Sequence, residues 1–249
     1  ITHVDSHPVV YAFYSGITGP FALILAPFGL MFLDKWEYLI ALASGVCLTW
    51  GLYFLYQAIK QTSVSRILPT EGGMVPMFTL VLAFGLLGER LSTIQYLAFI
   101  FLVAGAILIS FKHDNYGWHA QALKNAIISA FLFALSFTFT KYIFNESNFI
   151  SGVVWTRLGS LLVALAMLAS KEMREHIFAA PKKARGKNVL LYYSSRIFGT
   201  AGGMLQNYAI SLGSVTIVNA LQGAQFTFLL GITTALSIYF PTVLKEKIT

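Results

Sequence analysis

Eight runs of about 20 apolar residues, most of them joined by short polar connections, constrain this chain more than any motif does. They are Val9 to Leu33, Tyr38 to Ile59, Ile67 to Leu87, Ile94 to Phe111, Ala122 to Phe144, Phe149 to Ala169, Val189 to Leu212 and Val215 to Tyr239. Each is about the length one helix needs to cross the hydrocarbon core of a bilayer. They are far longer than the strands of a membrane barrel and lack strict alternation, so helix is the expected element. Only 11% of the 249 residues are charged, against about 25% in a soluble domain. The expected class is an all-α polytopic integral membrane protein. Trp36, Tyr38, Trp118, Tyr192 and Tyr193 lie near run ends, where amphipathic rings favour the headgroup level.

The net charge of +7 is concentrated between runs, above all in the connection Ser170 to Asn188, whose polar part reads KEMREHIFAAPKKARGKN. Basic residues placed there orient a chain in a membrane, and no nucleic-acid partner is expected. Cys47 is single and sits inside a run, which excludes a disulfide framework and a thiolate metal site. His3, His7, His113, His119 and His176 fall in loops or at ends, without metal spacing such as HExxH. With no Walker loop and no nucleophile elbow either, neither a metal, a cofactor nor covalent catalysis is expected.

The third run carries the costliest residue. Glu71 stands beside the Gly72-Gly73 pair and between Pro69 and Pro76. A carboxylate at the centre of a membrane helix costs about 2.5–3.5 kcal/mol on insertion scales, so one that is kept there is a functional candidate. Pro76 lacks an N–H and crowds the carbonyl four residues earlier, which lipid cannot satisfy. This helix must face protein or a wet cavity. Arg66, five residues before Glu71, lies more than one turn away and on a different face, a poor partner on the same helix.

The sequence also repeats. Tyr56-Gln57-Ala58-Ile59 aligns without gaps with Asn207-Tyr208-Ala209-Ile210, and the match continues through Ser63-Val64 against Ser214-Val215 and Gly72 against Gly223. In that register Glu71 falls on Gln222 and Ser65 on Thr216; further on, Gly88-Glu89-Arg90-Leu91-Ser92 meets Lys245-Glu246-Lys247-Ile248-Thr249. Five runs separate the copies, an odd number, so they would stand in opposite orientations, as the halves of secondary transporters do.

On these residues, the helix ending Gly88-Glu89-Arg90-Leu91-Ser92, the next helix with Gly105 near its middle, and Lys141, Arg157 and Glu246 in the second half, the chain resembles the EamA repeat of the drug/metabolite transporter superfamily. The resemblance implies two inverted five-helix repeats, at 1–115 and 116–249. On the family's pattern the first helix is missing ahead of Thr2 and the tenth beyond Thr249. It also implies a permease that exports or imports a small metabolite. The helix with Ser15-Gly16 departs from the pattern, having no arginine where the second half has Arg157.

The residues expected along a substrate path are Glu71, Arg66, Tyr56, Lys141, Arg157, Arg196, Asn219, Gln222 and Gln225. Asn219, Gln222 and Gln225 are three residues apart and share one helix face, which lipid would not tolerate. An inward face of amides either hydrogen-bonds neighbouring helices at roughly 1 kcal/mol each or lines a cavity. Lys141 lies close to a run end, where a long side chain snorkels. Arg157 and Arg196 lie deeper. Several cations around one carboxylate fit a solute with an anionic group, such as an amino acid. Glu71 reads either as a proton carrier, if desolvation governs it, or as a fixed countercharge, if a cation does. Tyr56 shares the repeat register and is a candidate cavity wall.

The expected function is a secondary-active permease of the cytoplasmic membrane, with the lipid bilayer and a small solute as partners and either a monomer or a homodimer as its state. Proton coupling is the one coupling chemistry the residues offer. The alternatives are a membrane enzyme on a lipid-linked substrate, which would show clustered His, Asp or Ser near an interface, and a non-transporting scaffold. Counting Lys and Arg places the 171–187 loop, Lys60, Arg66, Lys112, Lys124, Lys245 and Lys247 on one side, in the cytoplasm by the positive-inside rule. The topology usual for the family implies the opposite orientation.

Overall fold

The computed structural model describes residues 7–62, 64–110, 120–183 and 187–222, with 224, 225, 228 and 232; side chains at 65–66, 106–107, 109–110, 180–183 and 187–196 lie outside the description. The described secondary structure is helical throughout. It comprises α1 (Pro8–Ile17), a 3₁₀ segment (Gly19–Phe28), α2 (Lys35–Gln61), α3 (Val64–Leu87), α4 (Thr93–Ser110), α5 (Ala120–Glu146), α6 (Phe149–Met167), α7 (Lys171–Lys183), α8 (Lys187–Leu212) and α9 (Val215–Ala220). Five spans among the described residues are long and apolar enough to cross a membrane: Pro8–Phe28, Lys35–Gln61, Ile67–Leu87, Ala120–Glu146 and Phe149–Met167.

The first run is not one helix. At Thr18 the hydroxyl turns back onto the Tyr14 and Ser15 carbonyls, at 3.0 and 2.9 Å, and Gly19-Pro20 then starts the tighter 3₁₀ segment. Pro20 has no N–H for the α-helical ladder. Only a glycine fits at 19, because any side chain there would strike the backbone carbonyl of Arg157 on α6. The non-helical chain that follows is satisfied by α6. Asn148 donates to the Gly29 carbonyl at 2.6 Å, Ser151 Oγ accepts from the Met31 amide at 2.8 Å, and Trp155 Nε1 donates to the Met31 carbonyl at 3.0 Å. Backbone polar groups outside a helix need such partners wherever water does not reach them.

Three close helix pairings hold this part of the bundle. At the α2–α6 crossing, Gly45 lies directly on the backbone of Thr156 and Ser160, Gly159 lies on Leu42, and Ser160 Oγ donates to the Gly45 carbonyl at 3.1 Å. Gly16 brings α1 against Ser160 and Ala164 in the same way. Where α2 meets α5, Ser44 Oγ donates to the Ser136 carbonyl at 2.8 Å and lies 2.7 Å from Thr140 Oγ1. Small residues let membrane helices approach until packing and hydrogen bonds replace the hydrophobic drive that lipid does not provide. From α5 the bundle continues through α3, which also packs on α4 and α9.

The basic connection Ser170–Asn188, expected only as a loop, contains α7. Its apolar side docks on α1 and α6, with Ile177 buried among Val9, Phe13, Val163 and Met167. The charged side, with Lys171, Glu172, Arg174 and Glu175, is exposed. At the same joint His7 caps α1, its Nδ1 accepting from the Val9 amide, while its ring stacks on His176 at 4.1 Å and 7°.

Burial, the stacked His176 and then Lys60 push the His7 imidazole below its ordinary value of 6.5, with Glu172 opposing. A proton on Nδ1 would also abolish the cap. Because the folded value lies below the unfolded one, this contribution is complete above about pH 6.5 and is lost as pH falls through the folded value. Docking of α7 is therefore expected to weaken as pH falls below about 6.5. Amide hydrogen exchange in α7, corrected for intrinsic rates, reads it directly, and His7→Asn, which keeps a cap without titrating, should flatten the response.

Candidate functional site

The site grows from α3. Ile67 and every residue from Pro69 to Pro76 except Met74 are buried, so this half of the helix is enclosed by protein on nearly all sides; exposure returns at Met77. The two prolines sit inside a continuous helix, and enclosure accounts for that tolerance, since neighbouring helices take up the freed polar groups. Glu71, 7% exposed, points to α5, where Ser129 Oγ meets Glu71 Oε1 at 2.5 Å. The same hydroxyl lies 2.8 Å from the Gly51 carbonyl of α2. Gly51 permits that approach because its bare Cα faces the Phe133 ring, one turn beyond Ser129.

A polar ladder leads from this point to the end of α5. Asn125, one turn before Ser129, donates to Gln61 Oε1 at 3.1 Å, and the exposed Gln121 lies 3.5 Å from Asn125 Oδ1. Further along α3, Thr79 accepts from the Asn219 amide of α9 at 3.1 Å, and Gln206 of α8 donates to Asn219 Oδ1 at 3.1 Å. Thr79 is eight residues past Glu71, a little over two turns along the helix. The hydroxyl of Thr216, 1% exposed and one turn before Asn219, has no hydrogen-bond partner among the described residues.

The expected path residues therefore divide. Glu71, on α3 and facing α5, and Asn219, on α9 and facing α3, are both buried. Gln222 is half-buried and Gln225 exposed, so burial falls steadily along the expected amide face. Tyr56 stacks on Tyr11 of α1 at 4.3 Å. Arg157 lies on α6, which packs on α2, α1 and the 3₁₀ segment, and its guanidinium reaches α8 beside Gly203. Lys141 does not snorkel: its Nζ turns inward to the Ile210 and Ser211 carbonyls at the end of α8, at 3.0 and 3.5 Å. A cation at a helix C-terminus meets the negative end of the helix dipole. Nearby, Glu89 accepts a short hydrogen bond from Ser214, whose Oγ caps α9 by accepting from the Ile217 amide at 3.1 Å. The side chains of Arg66 and Arg196 lie outside the described residues.

Sequence reasoning missed Ser129, Gly51, Thr79 and the Ser44 cluster. One signal was available. Asn125, Ser129, Ser136 and Thr140 are spaced 4, 7 and 4 residues apart in an otherwise apolar run, which is one helix face.

A bundle of apolar spans whose interior is tied by a buried carboxyl, hydroxyls and amides defines a polytopic helical membrane protein with a polar interior. Its family follows from comparison: residues 3–111 match the EamA-like transporter family and form a domain of that family. The matched segment covers α1 to α4, and the EamA-like family is one of transporters. No curated protein matches the chain.

Proposed function

We propose that this chain is a secondary-active permease that moves a small polar metabolite, such as an amino acid or another carboxylate-bearing solute, across the cytoplasmic membrane by alternating access. The single observation that carries this reading is Glu71, a carboxyl group held 7% exposed inside a membrane bundle, within the matched transporter domain. Intramembrane ionisable groups are costly and mark solute or ion paths. The sequence repeat, with Glu71 opposite Gln222, supports two inverted halves, 1–115 and 116–249, around a site asymmetric in charge. In this reading Asn219, Gln222 and the Thr216 hydroxyl, which has no partner among the described residues, supply polar contacts. Arg157, with Arg66 and Arg196, supplies the charge that selects an anionic group.

The test is flux of a radiolabelled metabolite panel into proteoliposomes holding the full chain. Saturable uptake of carboxylate-bearing solutes is expected. Movement of neutral or cationic compounds alone would sink the anionic assignment, and absence of flux across the panel would sink the permease.

A further inference from the structure

Ser129 has one hydroxyl proton, yet its oxygen lies within hydrogen-bond reach of two acceptors on two other helices, the Gly51 carbonyl at 2.8 Å and Glu71 Oε1 at 2.5 Å. A single proton cannot serve both. Both contacts are satisfied together only when Glu71 itself carries a proton and donates it to Ser129 Oγ, which frees the serine proton for Gly51. The opposite assignment leaves an ionised carboxylate in a buried site with, among the described residues, one neutral donor, and burying a charge on so little is among the costliest arrangements a protein can hold.

We propose that Glu71 and Ser129 form a proton-loading site whose occupancy switches the Ser129 hydroxyl between α3 and α2. On loading, hydronium gives its proton to the Glu71 carboxylate: an O–H bond forms on the carboxyl, water is released, and Ser129 turns to the Gly51 carbonyl. On release, the Glu71 O–H breaks and a water takes the proton as hydronium; the carboxylate then accepts the hydrogen bond of the Ser129 hydroxyl, which keeps its proton, and the α2–α5 link at Gly51 is lost. The ladder Gln121–Asn125–Gln61 gives the proton a polar approach, and it ends one turn of α5 from Ser129.

The charged groups on the three elements are few at this level. Lys60 on α2 and Lys124 on α5 are exposed near the same end, Lys141 is committed to the α8 carbonyls, and Arg66 stands five residues before Glu71 on α3. Ser129 is a positioning residue here, and Glu71 binds the proton. Coupling of that proton to solute movement rests on the permease reading above; the site itself does not.

The experiment is infrared difference spectroscopy of the full chain in lipid bilayers, titrated in pH. Above about pH 6, where ordinary carboxylates are ionised, wild type should show a protonated-carboxyl C=O band that grows as pH falls and disappears in Glu71→Gln. Ser129→Ala should shift that band in frequency, and Ser129→Thr, which restores the hydroxyl, should return it. A titrating band that survives Glu71→Gln, the absence of any such band in wild type, or an unshifted band in Ser129→Ala overturns the proposal. If Ser129→Ala does not fold, the wild-type and Glu71→Gln spectra still decide whether Glu71 is the group that loads. A band that behaves as expected in liposomes without solute flux leaves the proton site standing and removes the permease.

Discussion

Glu71→Gln is expected to insert and fold like wild type and to lose solute flux by about 5- to 150-fold, the range that coupling between two sites usually spans. The fold should survive because a glutamine amide donates to Ser129 Oγ as a protonated carboxyl does, leaving Ser129 free to serve the Gly51 carbonyl 2.8 Å away. Volume and hydrogen bonding are kept; only the ability to change charge is removed. Flux in proteoliposomes, set beside the elution profile of the purified protein, separates the two effects. Wild-type flux in Glu71→Gln would remove Glu71 from the transport path. Lost flux accompanied by aggregation would show that the residue is structural.

Gly45→Leu should be the most damaging single change in the bundle. Overpacking a core typically costs about 1–3 kcal/mol, and the cost falls when a neighbouring side chain can rotate away. Here the neighbours are the Thr156 carbonyl and the Ser160 amide, both backbone, so a helix must move instead. Separating α2 from α6 also breaks the Ser160 bond to Gly45 and undoes the fit of Gly159 on Leu42. A loss above about 3 kcal/mol is expected, read as loss of the monodisperse peak after detergent extraction. Gly85→Leu, at a position with nothing within 4 Å among the described residues, is the matched control and should leave that peak unchanged. Equal behaviour of the two variants would show that the crossing is not tight.

Much of this architecture was legible because membrane spans are written in length and polarity. Four of the eight runs correspond to helices from the described spans with nearly the expected limits, and a fifth contains the break at Gly19-Pro20. That break was readable in principle, since proline announces itself, but the apolar run hid it. The segment holding α7 was harder, because its lysines and glutamates carry the orientation signal that masks an amphipathic helix.

The site was half legible. Glu71 stands out because its cost is intrinsic to the residue. Ser129 does not, because hydroxyls in apolar helices commonly bond their own backbone, as Thr138 does to Ala134 and Thr79 to Val75, each at 2.8 Å. Nothing local distinguishes those from a serine that reaches a carboxyl 58 positions away. Lys141 carries the same lesson, for its carbonyl partners lie 69 and 70 residues downstream.

The glycine crossing has a mechanical consequence. Helices that touch backbone to backbone at Gly16, Gly45 and Gly159 have no layer of side chains to slide on, so α1, α2 and α6 move as one rigid body or not at all. That body draws on both halves of the sequence, with α1 and α2 from the matched segment and α6 from beyond it. A shear plane through this molecule therefore cannot follow the midpoint of the sequence. It has to run where side chains alone make contact, and one such seam lies between α3 and the α2–α5 pair, where the Ser129 hydroxyl stands between Gly51 and Glu71.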